Sequence, residues 1–232
     1  MRPVLVLRPE PGNAATCTAA RALGLAPVSA PLFAYAPRDW HLPHHGPWAG
    51  LLIGSAAVFA HGGASLAALR HIPVHAVGPA TTRAAQAAGF SVARTGSGGL
   101  QPLVATLPPG RYLRLAGEAH VALDPPAGVS VDDVIVYTAV PQPLAPDLAR
   151  HISRAAMVAL LHSAEAARHF GAQCALHRLP REQIMLACLA PRVATAAGTG
   201  WQAVGIADTP GDDAVLSLAL QMCQTVWPRG NV

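Results

Sequence analysis

Val134-Ile-Val-Tyr-Thr-Ala-Val-Pro141 is the run on which the reading of this chain turns. Its β-branched and aromatic residues mark a strand. An earlier run, Pro31-Leu-Phe-Ala-Tyr-Ala-Pro37, has the same extended, proline-bounded character. Laid side by side, the two runs become paired crossings between two lobes. Residues 35–140 then form an inserted domain and residues 1–34 plus 141–232 a discontinuous one, with linker strands at about 31–37 and 134–140. Tyr137 falls at the neck, a place where ligand sites concentrate.

Outward from these crossings, strand and helix patterns alternate. Before the first crossing come a strand at 4–8, a helix at 14–25 closed near Gly24, and a strand at 27–31. Between the crossings the spacing predicts strands at 50–55, 74–78, 90–93 and 111–116, with helices at 56–70, 79–88 and 100–107. After the second crossing it predicts strands at 156–162, 184–189 and 203–207, and helices at 164–171, 191–197 and 213–224. Such alternation implies an α/β class, a parallel sheet with helices on both faces. The halves also repeat. Leu51-Leu-Ile-Gly-Ser55 matches Val158-Ala-Leu-Leu-His-Ser163, Val77-Gly-Pro79 matches Leu189-Ala-Pro191, and Gly89 to Thr95 matches Gly200 to Thr209. The offset of about 108 to 114 residues is that of a duplicated lobe, too long for a solenoid repeat.

Composition narrows the chemistry. At 232 residues and 52% hydrophobic, the chain has ample apolar surface for a globular core. All 16 basic residues are arginine, so a lysine Schiff base and a lysine-bearing phosphate loop are both excluded. The arginines are scattered and the net charge is only +4, which leaves no nucleic-acid footprint but is compatible with an anionic small molecule. The 4 cysteines form no C-x-x-C pair and read as buried free thiols in a reducing compartment. Val4 to Leu7 is too short for a secretory core, so the expectation is a cytoplasmic protein. Residues 48–69 lack charge, yet their glycines, serines and His61 suit a buried strand and a small-residue helix better than a membrane span.

In open α/β sheets, ligands bind at the carboxyl ends of the strands, where helix starts present backbone N–H groups and partial positive charge. The residues expected there are Ser55, Gly78-Pro79-Ala80-Thr81, Ser163 and Ala190-Pro191-Arg192. Together they could cradle an anion with few charged side chains; plain helix capping explains Ser55 and Ser163 equally well. Gly96-Ser-Gly98-Gly99 lacks the third glycine and the acidic partner of a dinucleotide site. His41, His44 and His45 have metal-like spacing but only Asp39 nearby, and read as a surface loop. Neither serine sits in a G-x-S-x-G elbow, and Glu118 reads as an ordinary exposed carboxylate.

Taken together, Val4-Leu-Val-Leu-Arg8-Pro9, Leu52-Ile-Gly-Ser55-Ala-Ala-Val58, Ala76-Val-Gly-Pro-Ala-Thr81, Val134-Ile-Val-Tyr137-Thr, Leu161-His-Ser163 and Thr209-Pro-Gly-Asp resemble the uroporphyrinogen-III synthase family, in order and over essentially the whole chain. The resemblance implies two similar flavodoxin-like domains joined by a two-stranded β-ladder, with a cleft between them. It implies a cyclising lyase that converts hydroxymethylbilane, a linear tetrapyrrole octacarboxylate, into uroporphyrinogen III with loss of water and inversion of the last ring. No metal or organic cofactor takes part, and the enzyme is expected to be a monomer that binds neither nucleic acid nor membrane. Tyr137 is implied as the group nearest the departing hydroxyl, with Arg8, Ser55, Gly78, Thr81, Ser163 and Arg192 contacting substrate. Two departures stand out. Ala190-Pro191-Arg192-Val193 replaces a hydroxyl-bearing turn, and residues 118–129 are short, with Pro125 and Pro126 where relatives carry a glycine-rich turn and a helix. A two-lobed anion-binding protein and an inactive family member are the alternative readings.

Overall fold

The computed structural model describes residues 2–43 and 46–224. His44 and His45 of the histidine loop lie outside the described residues. The chain divides into two compact units, residues 1–34 with 141–232, and residues 35–140.

In the first unit, strands β1 (Pro3–Val6) and β2 (Ala26–Ser29) flank helix α1 (Gly12–Ala22). The later part supplies β9 (Met157–Leu161), α6 (Ala164–Leu176), β10 (Ile184–Cys188), α7 (Pro191–Ala197), β11 (Ala203–Ile206) and α8 (Asp212–Gln224). The strands form one parallel sheet in the order β11-β10-β9-β1-β2. Every residue of β9 and β10 is buried, as continuous apolar runs require when both faces of a sheet are covered. On one face Val4, Val6, Val158, Leu160 and Met185 pack with Cys17 and Ala20 of α1 and Val215, Ala219 and Met222 of α8. Elsewhere in the unit Phe170 of α6 stacks on Trp201 at 5.6 Å, with the Arg181 guanidinium 5.0 Å from the indole centroid.

The second unit runs through β4 (Gly50–Ile53), α2 (Ala57–His61), β5 (Val74–Val77), α3 (Gly78–Ala87), β6 (Val92–Gly96), α4 (Leu100–Val104), β7 (Gly110–Gly117) and into β8 (Val129–Pro141). With β3 (Phe33–Pro37) the sheet order is β3-β8-β7-β4-β5-β6, and the β8-β7-β4-β5-β6 pairs are parallel. Alternation along β4 splits the core, Leu51 and Ile53 joining Val58, Leu66 and Phe90 on one face while Leu52 joins Leu103, Val104 and Tyr112 on the other.

The two sheets repeat each other. β4, β5 and β6 hold the places of β9, β10 and β11, which the internal sequence matches predict; β7 and β8 hold the places of β1 and β2, which no match reveals. The later strands of one repeat stand where the earlier strands of the other do, so chain order hides the equivalence.

Local departures from the expected elements have physical causes. The helix expected over 56–70 stops at His61 and a 3₁₀ segment covers Ala64–Leu69. Gly63, at φ +70°, breaks the run, and a Cβ on Gly62 would lie 2.6 Å from the Val58 carbonyl. The helix at 164 continues to Leu176, past Gly171, whose bare Cα lies against Arg181 and the Ala197 carbonyl. A short helix α5, Pro146–Ile152, was hidden by the prolines around it, although Pro146 sits where a first helical turn tolerates one. The strand expected over 134–140 is longer, because β8 begins at Val129 to run beside β7.

Candidate active site

In the second unit the chain order reverses across the sheet between β4 and β7, and strand ends at such a switch point leave a crevice. A cavity of about 170 Å³ lies there, lined by Gly54, Ser55, Arg114, Gly117, His120 and Tyr137 among others. The loop after β4 brings Ser55, whose Oγ accepts a hydrogen bond from the Ala57 amide at 3.2 Å. β7 brings Arg114 and Gly117, and β8 brings Tyr137.

Tyr137 is only 8% exposed. Its ring meets Tyr35 edge-on at 4.9 Å and His61 at 6.2 Å. Beneath it β7 carries Gly117, paired with Tyr137 after a register shift at Ala116/Gly117. The bulge and the missing side chain let the phenol end of the ring lie close against the strand. Glu118 then turns away, pairing with Arg38 and accepting a hydrogen bond from Thr138. The Thr138 bond and the Arg38 charge hold its carboxyl below the usual range.

Ala119 and His120, in the stretch 118–128 that forms neither strand nor helix, line one side of this cavity. His120 contacts the Gly117 carbonyl at 2.9 Å and Asp133 at 3.4 Å, and the Val121 carbonyl accepts from Arg114 Nη1 at 2.8 Å. The stretch therefore supplies part of the cavity wall.

A family model described as Uroporphyrinogen-III synthase HemD matches residues 14–217. The chain belongs to the uroporphyrinogen-III synthase family. No curated protein matches. Among solved structures, uroporphyrinogen-III synthetase from Helicobacter pylori aligns over 96% of this chain and 100% of its own at 17% identity, with a TM-score of 0.59, and so shares the fold. Uroporphyrinogen III synthase from Thermus thermophilus aligns over 96% of each chain at 18% identity, with a TM-score of 0.39, too low to add to the argument.

The residues expected of a uroporphyrinogen-III synthase fall as follows. Ser55 and Tyr137 line the same cavity. Gly78 opens α3 at φ +78°, a left-handed conformation that a side chain would strain, and Thr81 is buried at 4% exposure. In the first unit Ser163 caps α6, accepting from the Ala166 amide at 3.0 Å, and Arg192 is exposed in the first turn of α7. Arg8 is held inside a network at the unit's own switch point, between β1 and β9. There Asp212 accepts from Thr16 at 2.8 Å and from Arg8 at 3.3 Å, and contacts His162 Nε2 at 2.7 Å. Burial pushes the Asp212 carboxyl up, but the His162 and Thr16 hydrogen bonds and the His162 and Arg8 charges outweigh it and leave it lower than normal.

Sequence reasoning missed Arg114, Gly117, His61 and His120. A lone charge inside Tyr112-Leu-Arg-Leu-Ala116 was the available signal for the first; the others carry none without the fold. Among the described residues no cluster of histidine, cysteine and acid side chains could hold a metal ion, and no helix is long and apolar enough to cross a membrane.

Proposed function

We propose that this chain closes hydroxymethylbilane to uroporphyrinogen III, with Tyr137 as the catalytic residue. The observation that carries the reading is the placement of Tyr137 on a cavity at the switch point of a sheet, in a chain matched by its family over residues 14–217. The phenol hydrogen-bonds the departing hydroxymethyl oxygen and gives it its proton as the C–O bond breaks. Water leaves and the azafulvene cation faces a phenolate, which recovers a proton when the closed ring loses one on rearomatising. In a largely buried setting that hydrogen bond is stronger than in water. Uncatalysed closure gives the type I isomer, so the protein's larger task is to hold the bilane for spiro closure at the last ring.

The sheet orders support two flavodoxin-like domains, since the first unit has the order 2-1-3-4-5 in its own chain order and the second, 5-4-1-2-3 over β4 to β8, is the same arrangement circularly permuted. The crossings at residues 34–35 and 140–141 support β3 and β8 as the linker. In this reading Ser55, Gly78, Thr81, Ser163, Arg8 and Arg192 mark the strand ends that receive substrate carboxylates. The enzyme works as a cytoplasmic monomer without nucleic-acid or membrane partners.

Mixing the purified protein with bilane and following the free bilane through a filter tests this against simple retention. Consumption over many equivalents, faster than in buffer alone, supports an enzyme; a stoichiometric, recoverable complex, with loss of free bilane otherwise at the buffer rate, means a binding protein.

A further inference from the structure

The duplicated halves can be compared position by position. Leu52 pairs with Arg114 across β4 and β7, and Leu160 pairs with Val6 across β9 and β1; Ser55 and Ser163 stand three residues beyond the two leucines. Arg114 therefore occupies the place of a core valine. Val6 is fully buried and Arg114 is 5% exposed, so a guanidinium has been set where its twin needs only an aliphatic side chain.

Burying that charge is costly unless partners compensate. Compensation here is partial. Nη1 donates to the Val121 carbonyl at 2.8 Å and lies 3.7 Å from Asp133, a carboxylate that is itself 39% exposed and shared with His120. Nε is buried with no hydrogen-bond partner. Burial draws the guanidinium below its ordinary range despite Asp133, the direction expected of a cation still short of negative charge. The same side chain lines the cavity with Ser55 and Tyr137. That cavity, about 170 Å³, far exceeds the roughly 10–15 Å³ that one water occupies, and has room for a short organic acid arm.

We infer that Arg114 is a substrate-positioning residue that takes one carboxylate arm of the tetrapyrrole into the cavity beside Tyr137. The inference rests on the proposed function for the identity of the tetrapyrrole, though not for the anion site. An arm anchored on β7 fixes the neighbouring ring relative to the phenol, so the bilane cannot slide past it. The group recognised is a carboxylate on a one- or two-carbon stem.

The test uses propionate, acetate and phosphate at matched ionic strength, on the full-length wild type and on Arg114→Gln, Arg114→Lys and the exposed control Arg83→Gln. In thermal melts, propionate or acetate should raise the wild-type and Arg83→Gln midpoints at ~10–50 mM, and leave Arg114→Gln unmoved. With bilane as substrate, Arg114→Gln should raise KM about 10- to 100-fold with kcat within about threefold, Arg114→Lys should recover part of the loss, and propionate should raise the apparent KM of wild type and Arg83→Gln but not of Arg114→Gln. Equal carboxylate shifts in wild type and Arg114→Gln overturn the inference, as does phosphate binding in place of carboxylate or an unchanged KM in Arg114→Gln. Should Arg114→Gln not fold, wild-type competition by propionate and the Arg114→Lys KM still decide it. Should bilane not react at all, the melts still report the anion site and only the proposed function fails.

Discussion

A β-carbon on Gly117 would lie 2.5 Å from Cε2 of Tyr137 and 2.9 Å from its hydroxyl oxygen. The tyrosine keeps its place because its neighbour on β7 has no side chain. Gly117→Ala must move the ring or the strand, at a cost of about 1–3 kcal/mol for overpacking. The variant is expected to remain folded, with a somewhat lower melting temperature, and to lose at least about tenfold in kcat as the phenol is displaced. Steady-state rates with bilane, alongside thermal melts, check this; undiminished turnover would mean that the position of Tyr137 does not matter.

Tyr137→Phe removes the hydroxyl and keeps the edge-on packing against Tyr35. Turnover should fall about 10- to 100-fold, at or below the low end of a general acid's usual contribution, while the melting temperature shifts little. A variant as fast as wild type at saturating bilane would remove the phenol from the mechanism.

Asp212 ties α8 to β1, α1 and the end of β9, with a carboxyl held below its ordinary value of 3.8. A depressed carboxyl stabilises the fold above its unfolded value and loses that contribution as pH falls through the folded one. Asp212→Asn should therefore cost about 1–3 kcal/mol near neutrality, and the gap to wild type should narrow below about pH 4. Urea unfolding at pH 7, 4 and 3 measures it. A gap that widens on acidification contradicts the assignment.

Cys174 and Cys188 are buried, and burial pushes both thiols up to about 12. With so little thiolate available, neither should be alkylated by iodoacetamide in native protein at pH 8, whereas both should react in denaturant. Peptide mass spectrometry of the labelled protein reads the result directly.

The apolar runs of β4, β9 and β10 were legible because both faces of those strands are covered, and the tyrosine strand because its β-branched residues allow little else. The equivalence of β7 with β1 was not, since it lies in the order of strands across a sheet rather than along the chain. Ser55 and Tyr137 could be named from their motifs, but their meeting at one cavity depends on β8 lying beside β7. Arg8 is the charged end of a strand in sequence and a substrate contact by resemblance; its pairing with Asp212, more than two hundred residues away, needs the fold. Arg114 was read as part of a strand, and only the register of the two halves shows that its place belongs to a valine.

The most direct measurement is the isomer composition formed from hydroxymethylbilane, oxidised to porphyrins and separated by chromatography, with and without the purified protein. The account predicts uroporphyrin III as the main product, formed faster than the buffer reaction and in proportion to protein added. Uroporphyrin I alone, appearing at the rate seen in buffer, would contradict it.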